Sequence, residues 1–192
     1  MQPKRWNVAP PAPPDFLEQF PHRILAQVLY NRRFTGPDDA LAFLEGAVDP
    51  AWPLAMRDMG KAVGRIKKAI WRQEPTVVYG DFDVDGVTAT ALLTGALRRL
   101  GANVRPFIPD RFDEGYGLNS DALRRLAAEG AKLVITVDCG IRSVHEVEDA
   151  KAAGLEMIVT DHHSIGPELP RAFAVINPKR EDSQYPYRDL AG

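Results

Sequence analysis

Thr76-Val77-Val78-Tyr79-Gly80-Asp81-Phe82-Asp83-Val84-Asp85-Gly86 changes character halfway along, from apolar to acidic. An apolar, β-branched run leads into acids at alternate positions, then a glycine and a helix-forming segment. Such a run fits a strand buried on both faces of a parallel sheet. Carboxylates crowded past its carboxyl end repel one another unless a cation sits between them. The stretch therefore predicts the first wall of a divalent-metal site.

Downstream, short apolar strands alternate with amphipathic helices. Strands are expected at Val104–Ile108, Lys132–Val137, Glu156–Thr160 and Ala172–Ile176, and helices at Val87–Leu100, Asn119–Ala128 and Ser143–Ala153. Asn119-Ser120-Asp121 reads as a capping segment, and Ser143 with Glu146 as a capping box. Repeated strand–helix units predict an α/β fold with a doubly wound, mainly parallel sheet flanked by helices.

Upstream the pattern is helical. Pro3, Pro10, Pro11, Pro13 and Pro14 mark an extended or mobile start in which Trp6 and Lys4-Arg5 either touch a ligand or neighbouring domain or, the favoured reading, only anchor the tail. Helices follow at His22–Asn31, around Leu41-Phe43-Leu44, and at Leu54–Arg72, where Met56, Met59, Val63, Ile66 and Ile70 form an apolar stripe. Arg57, Lys61, Arg65, Lys68 and Arg72 fall near i, i+4 spacing, a row open to two readings: a solvated face or a track for a phosphate backbone. The expected division is a helical leader over 1–75 and a catalytic domain over 76–192.

Composition narrows the function classes. The 192 residues are 45% hydrophobic and 26% charged, with a net charge of -2, so nucleic-acid affinity must come from local patches. No apolar run approaches the ~20 residues of a membrane span. Cys139 is the only cysteine, which excludes a disulfide framework and makes a cytoplasmic address the expectation.

In open α/β sheets ligands bind outside the carboxyl ends of the strands. The polar clusters fall at those ends: Asp81, Asp83 and Asp85; then Pro109 to Gly117; Asp138-Cys139-Gly140; and Asp161-His162-His163. A calcium loop would need an acid where Leu92 stands. The nucleophile motif of haloacid-dehalogenase-type phosphatases would leave both histidines without a role. A two-metal reading uses every cluster. Carboxylates with a minority of imidazoles suit Mn²⁺ or Mg²⁺. Asp138 is the natural bridge, with Asp83 and Asp85 serving one ion each. Spacing does not choose between His162 and His163 as ligand. Cys139 reads as a packing residue.

These motifs, in this order, resemble the DHH phosphoesterase superfamily. Arg111-Phe112-Asp113-Glu114-Gly115-Tyr116-Gly117, Asn177-Pro178-Lys179 and the helical stretch ahead of the first strand resemble its RecJ-like family of single-strand-specific exonucleases. The resemblance covers nearly the whole chain. It implies Asp83, Asp85, Asp138 and His162 as metal ligands, Asp81 as ligand or supporting acid, and His163 against the scissile phosphate. Arg111 becomes a phosphate clamp, unless it pairs with Asp110, Asp113 or Glu114. Tyr116 becomes a stacking residue, unless it only packs a turn. The implied activity is metal-dependent 5′-to-3′ hydrolysis of single-stranded DNA in repair and recombination, with a single-strand-binding protein or a helicase as candidate partner and no membrane. The rival readings are a phosphoesterase of short oligonucleotides, cyclic dinucleotides or pyrophosphate, disfavoured by the Glu114-to-Gly117 loop, and a non-catalytic scaffold, disfavoured by the intact acids and histidines. The family also implies a further aspartate ligand and further domains beyond Gly192, so the catalytic domain is expected to be incomplete and the isolated chain weakly active or inactive.

Overall fold

The structure is a computed structural model that describes residues 7–46, 53–110 and 117–191. Trp6, Lys4, Arg5, Arg111 and Tyr116 lie outside the described residues. The chain divides into two compact units, Met1–Pro50 and Ala51–Gly192.

The first unit holds α1 (Pro14–Leu17), α2 (Arg23–Asn31) and α3 (Pro37–Leu44). Phe16, Phe20, Ala26, Leu29 and Ala40 form its small core. Its start is less loose than its prolines suggest: Gln27 Oε1 accepts from the Ala12 amide at 2.8 Å, and Gln27 Nε2 donates to Pro10 O at 3.1 Å. One side chain thus ties the proline-rich segment to α2.

The second unit holds a 3₁₀ turn (Pro53–Ala55), then α4 (Met59–Arg72), β1 (Thr76–Gly80), α5 (Val84–Arg99), β2 (Val104–Phe107), α6 (Ser120–Ala128), β3 (Leu133–Val137), α7 (Val144–Ala152), β4 (Glu156–Thr160) and β5 (Ala174–Ile176). The strands pair in the order β2-β1-β3-β4-β5, all parallel. The expected α/β sheet is what forms.

Alternation along the strands divides the core between the two faces. Val77, Tyr79, Val134, Met157 and Val159 meet α6 and α7 on one side. Val78, Leu133, Ile135 and Ile158 meet Ala62 and Ala69 of α4 and Leu97 of α5 on the other. Every residue of β1 and β3 is buried, as central strands of a parallel sheet require. The order reverses between β1 and β3, where crossovers leave in opposite directions and open a crevice at the carboxyl edge.

Helix α4 falls in the same compact unit as the sheet. It starts at Met59 because Asp58 adopts a left-handed conformation (φ 63°), and Asp58 Oδ2 accepts from Val175 N at 3.2 Å and Arg180 Nη1 at 3.0 Å. The basic row on α4 is largely engaged: Arg65 is buried beside Glu74 and Glu156, Arg57 lies near Asp182, and Lys61 sits 4.7 Å over the Phe173 ring. At α7, Ser143 makes no side-chain capping bond among the described residues, whereas Asn119 caps α6 by accepting from Ala122 N at 2.9 Å.

Candidate metal centre

Two glycines let the β1 turn close tightly. A Cβ on Gly80 would lie 1.9 Å from Thr90 Oγ1, and one on Gly86 would lie 2.4 Å from Asp81 O. Only glycine permits α5 to start against the Asp81 backbone. Asp83 is the N-cap of α5, its Oδ1 accepting from Gly86 N at 3.0 Å. The helix therefore begins at Val84, three residues before the expected start, and Asp85 stands in its first turn. Asp81 is buried and accepts from Phe82 N at 2.8 Å.

At the end of β3, Asp138 takes a left-handed φ of 63°. That conformation costs a non-glycine residue roughly 1–2 kcal/mol and is held by what surrounds it. Thr136 Oγ1 donates to Cys139 O at 2.8 Å, and Gly140 follows with φ 105°. Asp138 is 1% exposed, and neither carboxylate oxygen has a hydrogen-bond partner among the described residues. His162 Nε2 lies only 3.0 Å from Asp138 Oδ1. His162 Nδ1 lies 2.9 Å from Leu190 O, a carbonyl that can only accept, so Nδ1 carries a proton and the singly protonated tautomer turns the Nε2 lone pair toward Asp138. A lone pair facing a carboxylate is repulsive without a cation between them.

Asp161, at the end of β4, organises the histidines. Its Oδ1 accepts from His162 N at 2.7 Å, His163 N at 3.0 Å and His163 Nδ1 at 2.7 Å, while Oδ2 accepts from Ile141 N at 2.9 Å. One carboxylate joins the β4 turn to the β3 turn and fixes the His163 tautomer. The ligand reading gave Asp161 no role. Its place ahead of His162-His163 at a strand end was the available signal. Asn177, buried after β5, donates to His163 O at 3.1 Å and accepts from Lys179 N at 2.8 Å.

These turns converge on two groups. Ligand atoms of Asp138, His162 and His163 lie within 4.8 Å of one another, as do those of Asp81, Asp83 and Asp138. Asp138 is common to both. The structure brings together Asp81, Asp83, Asp138, His162 and His163, while Asp85 is in neither group. Burial, then the Asp83 charge, raise the Asp138 carboxyl to about 6. Burial also raises Asp81, with the Asp83 charge adding to it. Cys139 is buried and its thiol is pushed well above the ordinary range by desolvation and then by Asp161 and Asp81, which suits packing rather than ligation.

The residues fit a pair of divalent cations. The donor set is carboxylates with two imidazoles, the shared acid has no hydrogen-bond partner among the described residues, and His162 holds its other nitrogen on an acceptor, as metal ligands commonly do. Such an edge can bind phosphoryl oxygens through cations and set an imidazole beside them.

Comparison with known proteins agrees with the geometry. The family model for the DHH family, N-terminal domain, matches residues 75–191. Among curated proteins, the chain is 45% identical over 170 residues to the single-stranded-DNA-specific exonuclease RecJ of Bacillus subtilis, covering 88% of this chain and 22% of that protein. It is 45% identical over 133 residues to the RecJ of Escherichia coli, covering 69% and 23%. Among solved structures, exonuclease RecJ bound to manganese superposes with a TM-score of 0.60 at 37% identity, covering 69% of this chain and 33% of that one. RecJ of Thermus thermophilus in complex with Mn²⁺ gives 0.61 at 32% identity, covering 78% and 22%. The chain thus spans about a fifth of the length of the curated relatives it matches. No helix among the described residues is long and apolar enough to cross a membrane. A family match over residues 75–191, on a sheet whose β1, β3 and β4 ends bring aspartates and paired histidines together, places this chain in the DHH family.

Proposed function

We propose that the chain is the metal-binding part of a hydrolase that cleaves phosphodiesters of single-stranded DNA in the 5′-to-3′ direction, with Mn²⁺ or Mg²⁺ as cofactor. The observation that carries the reading is Asp138: buried, strained, shared by both ligand groups, and without a hydrogen-bond partner among the described residues on either oxygen. The RecJ relatives and the manganese-bound RecJ structures support the substrate and the metal.

Asp138, common to both ligand groups, would hold divalent ions together with Asp81 and Asp83 in one group and His162, through Nε2, in the other. Asp85 stays in the ligand set on its motif alone. A pair of divalent ions, when bound, supplies an activated water and neutralises charge on the phosphoryl oxygens. Asp161 holds the Nδ1 proton of His163, so the imidazole meets the scissile phosphate through Nε2 and stabilises developing charge there. Asp138 with its cations, His163 and Arg111 are the catalytic assignments, and Arg111, Tyr116 and His163 the contacts to DNA. A cytoplasmic address, and a single-strand-binding protein or helicase that presents the strand, belong to the same proposal.

The test compares digestion of a long single strand by the protein carrying this chain, wild type and Asp138→Ala, with and without Mn²⁺. Loss of Mn²⁺-dependent release of mononucleotides in the variant is expected. Undiminished release would sink the assignment.

A further inference from the structure

A cavity of about 460 Å³ opens beside the metal centre, on the side of the β3–α7 turn, and shares Asp161 and His163 with it. Leu118, Cys139 and Ile141 give it an apolar floor, and Arg142, Ser143 and Glu146 a polar wall. Its volume lies within the roughly 300–1,000 Å³ of small-molecule clefts and accommodates one nucleotide.

Arg142 is aimed rather than loose. Its Nε donates to Ser164 O at 2.7 Å. Its stem runs past Gly166, where an added Cβ would lie 3.7 Å from Arg142 Cγ. The loop after β4 therefore orients the guanidinium through Nε, and its terminal nitrogens have no partner among the described residues. Ser164, which it grips, directly follows His163. The same arginine lines a second cavity, of about 520 Å³, on the far side of this turn. A guanidinium anchored through Nε still presents two N–H groups in the plane that suits phosphate. Ser143, which makes no capping bond, leaves its hydroxyl for a ligand.

We propose that this groove seats the nucleotide joined to the scissile phosphate, its sugar and base on Leu118 and Ile141 and its outer phosphate on Arg142. The inference rests on the phosphodiesterase reading and adds to it a subsite for one nucleotide. Arg142 acts here as a binding and positioning residue. Its contribution falls with salt, as a charge contact to phosphate does.

The test titrates the 192-residue chain with deoxyadenosine monophosphate in the presence of chelator, followed by NMR amide shifts, and separately with Mn²⁺ by calorimetry. Shifts are expected at Leu118, Ile141, Ser143 and Ser164. Arg142→Ala weakens nucleotide binding about tenfold, the share of a charge-assisted hydrogen bond. Arg142→Lys restores part of it at low salt, and Ser143→Trp, which fills the groove, abolishes it. All three variants keep the wild-type Mn²⁺ affinity. Nucleotide binding that is absent from the wild type, or unchanged in Arg142→Ala and Ser143→Trp, overturns the groove. Absent Mn²⁺ binding by the wild type overturns the metal reading instead, and the nucleotide result stands apart from it.

Discussion

At the amino-terminal edge of the sheet, Arg65 is 5% exposed, with Nη2 2.6 Å from Glu74 Oε2 and Nε 2.6 Å from Glu156 Oε2. At the carboxyl edge, Asp138 is 1% exposed among Asp81, Asp83 and two histidines, and neither of its oxygens has a hydrogen-bond partner among the described residues. Both edges bury charge. One is neutralised by its own chain and ties α4 to the start of β4. The other holds like charges together and leaves the counter-charge to come from outside. A buried ion pair inside the chain closes a structure, while a buried acid without one holds a place for a cation.

The largest expected effect separates the two edges at Asp138. Asp138→Asn should abolish stabilisation by Mn²⁺ in thermal melts. It should also raise the metal-free stability at pH 7 by about 3 kcal/mol, since a carboxyl moved from 3.8 to about 6 carries that much unfavourable charging energy. A metal-free form less stable than wild type would show that Asp138 has an internal partner after all. Next comes Arg65→Ala, which strands Glu74 and Glu156 at the other edge. A loss of about 1–3 kcal/mol in denaturant unfolding is expected, because Glu156 is half exposed and regains water, with Mn²⁺ affinity unchanged. Loss of metal binding there would join the edges into one site.

The pH profile sharpens the contrast. A carboxyl whose pKa rises on folding binds protons more tightly in the native state. The metal-free chain should therefore lose stability as pH climbs from about 4 to about 6, up to about 3 kcal/mol from Asp138, and flatten above. Saturating Mn²⁺ should remove that slope, because it binds the ionised form. A metal-free stability rising over the same window would contradict burial as the cause. The smallest effect belongs to Asp161, which touches histidines and backbone. Asp161→Asn should weaken Mn²⁺ about 10–100-fold in calorimetry without abolishing it, the range for residues that orient ligands.

Much of this was legible in the residues. Val77-Val78-Tyr79 and Val134-Ile135 read as central strands because every position is apolar or β-branched, and all are buried. The Asp-rich turn after β1, Asp138 and the paired histidines could be placed at one edge because parallel strands end on the same side. The partner of α4 could not. The stripe Met56, Met59, Val63, Ile66 and Ile70 needs a partner but does not name it, and the contact to the sheet is long-range. The basic row stayed open between two readings for the same reason: Arg65 meets Glu156, 91 residues away. The start of α5 was missed because an aspartate cap and an aspartate loop look alike until Asp83 is seen accepting from Gly86. Asp161 hid its role because one of its donors, the Ile141 amide, lies 20 residues back.

Cys139 offers a use in the laboratory. It is the chain's only cysteine, it sits against Asp138, and burial keeps its thiol protonated. An alkylating reagent needs both access and thiolate, so in the folded chain it must wait for the β3 turn to open. Labelling therefore becomes a clock for that opening, read from an unmodified sequence. Mn²⁺ at the neighbouring acid should slow the clock, while urea below the unfolding midpoint should quicken it.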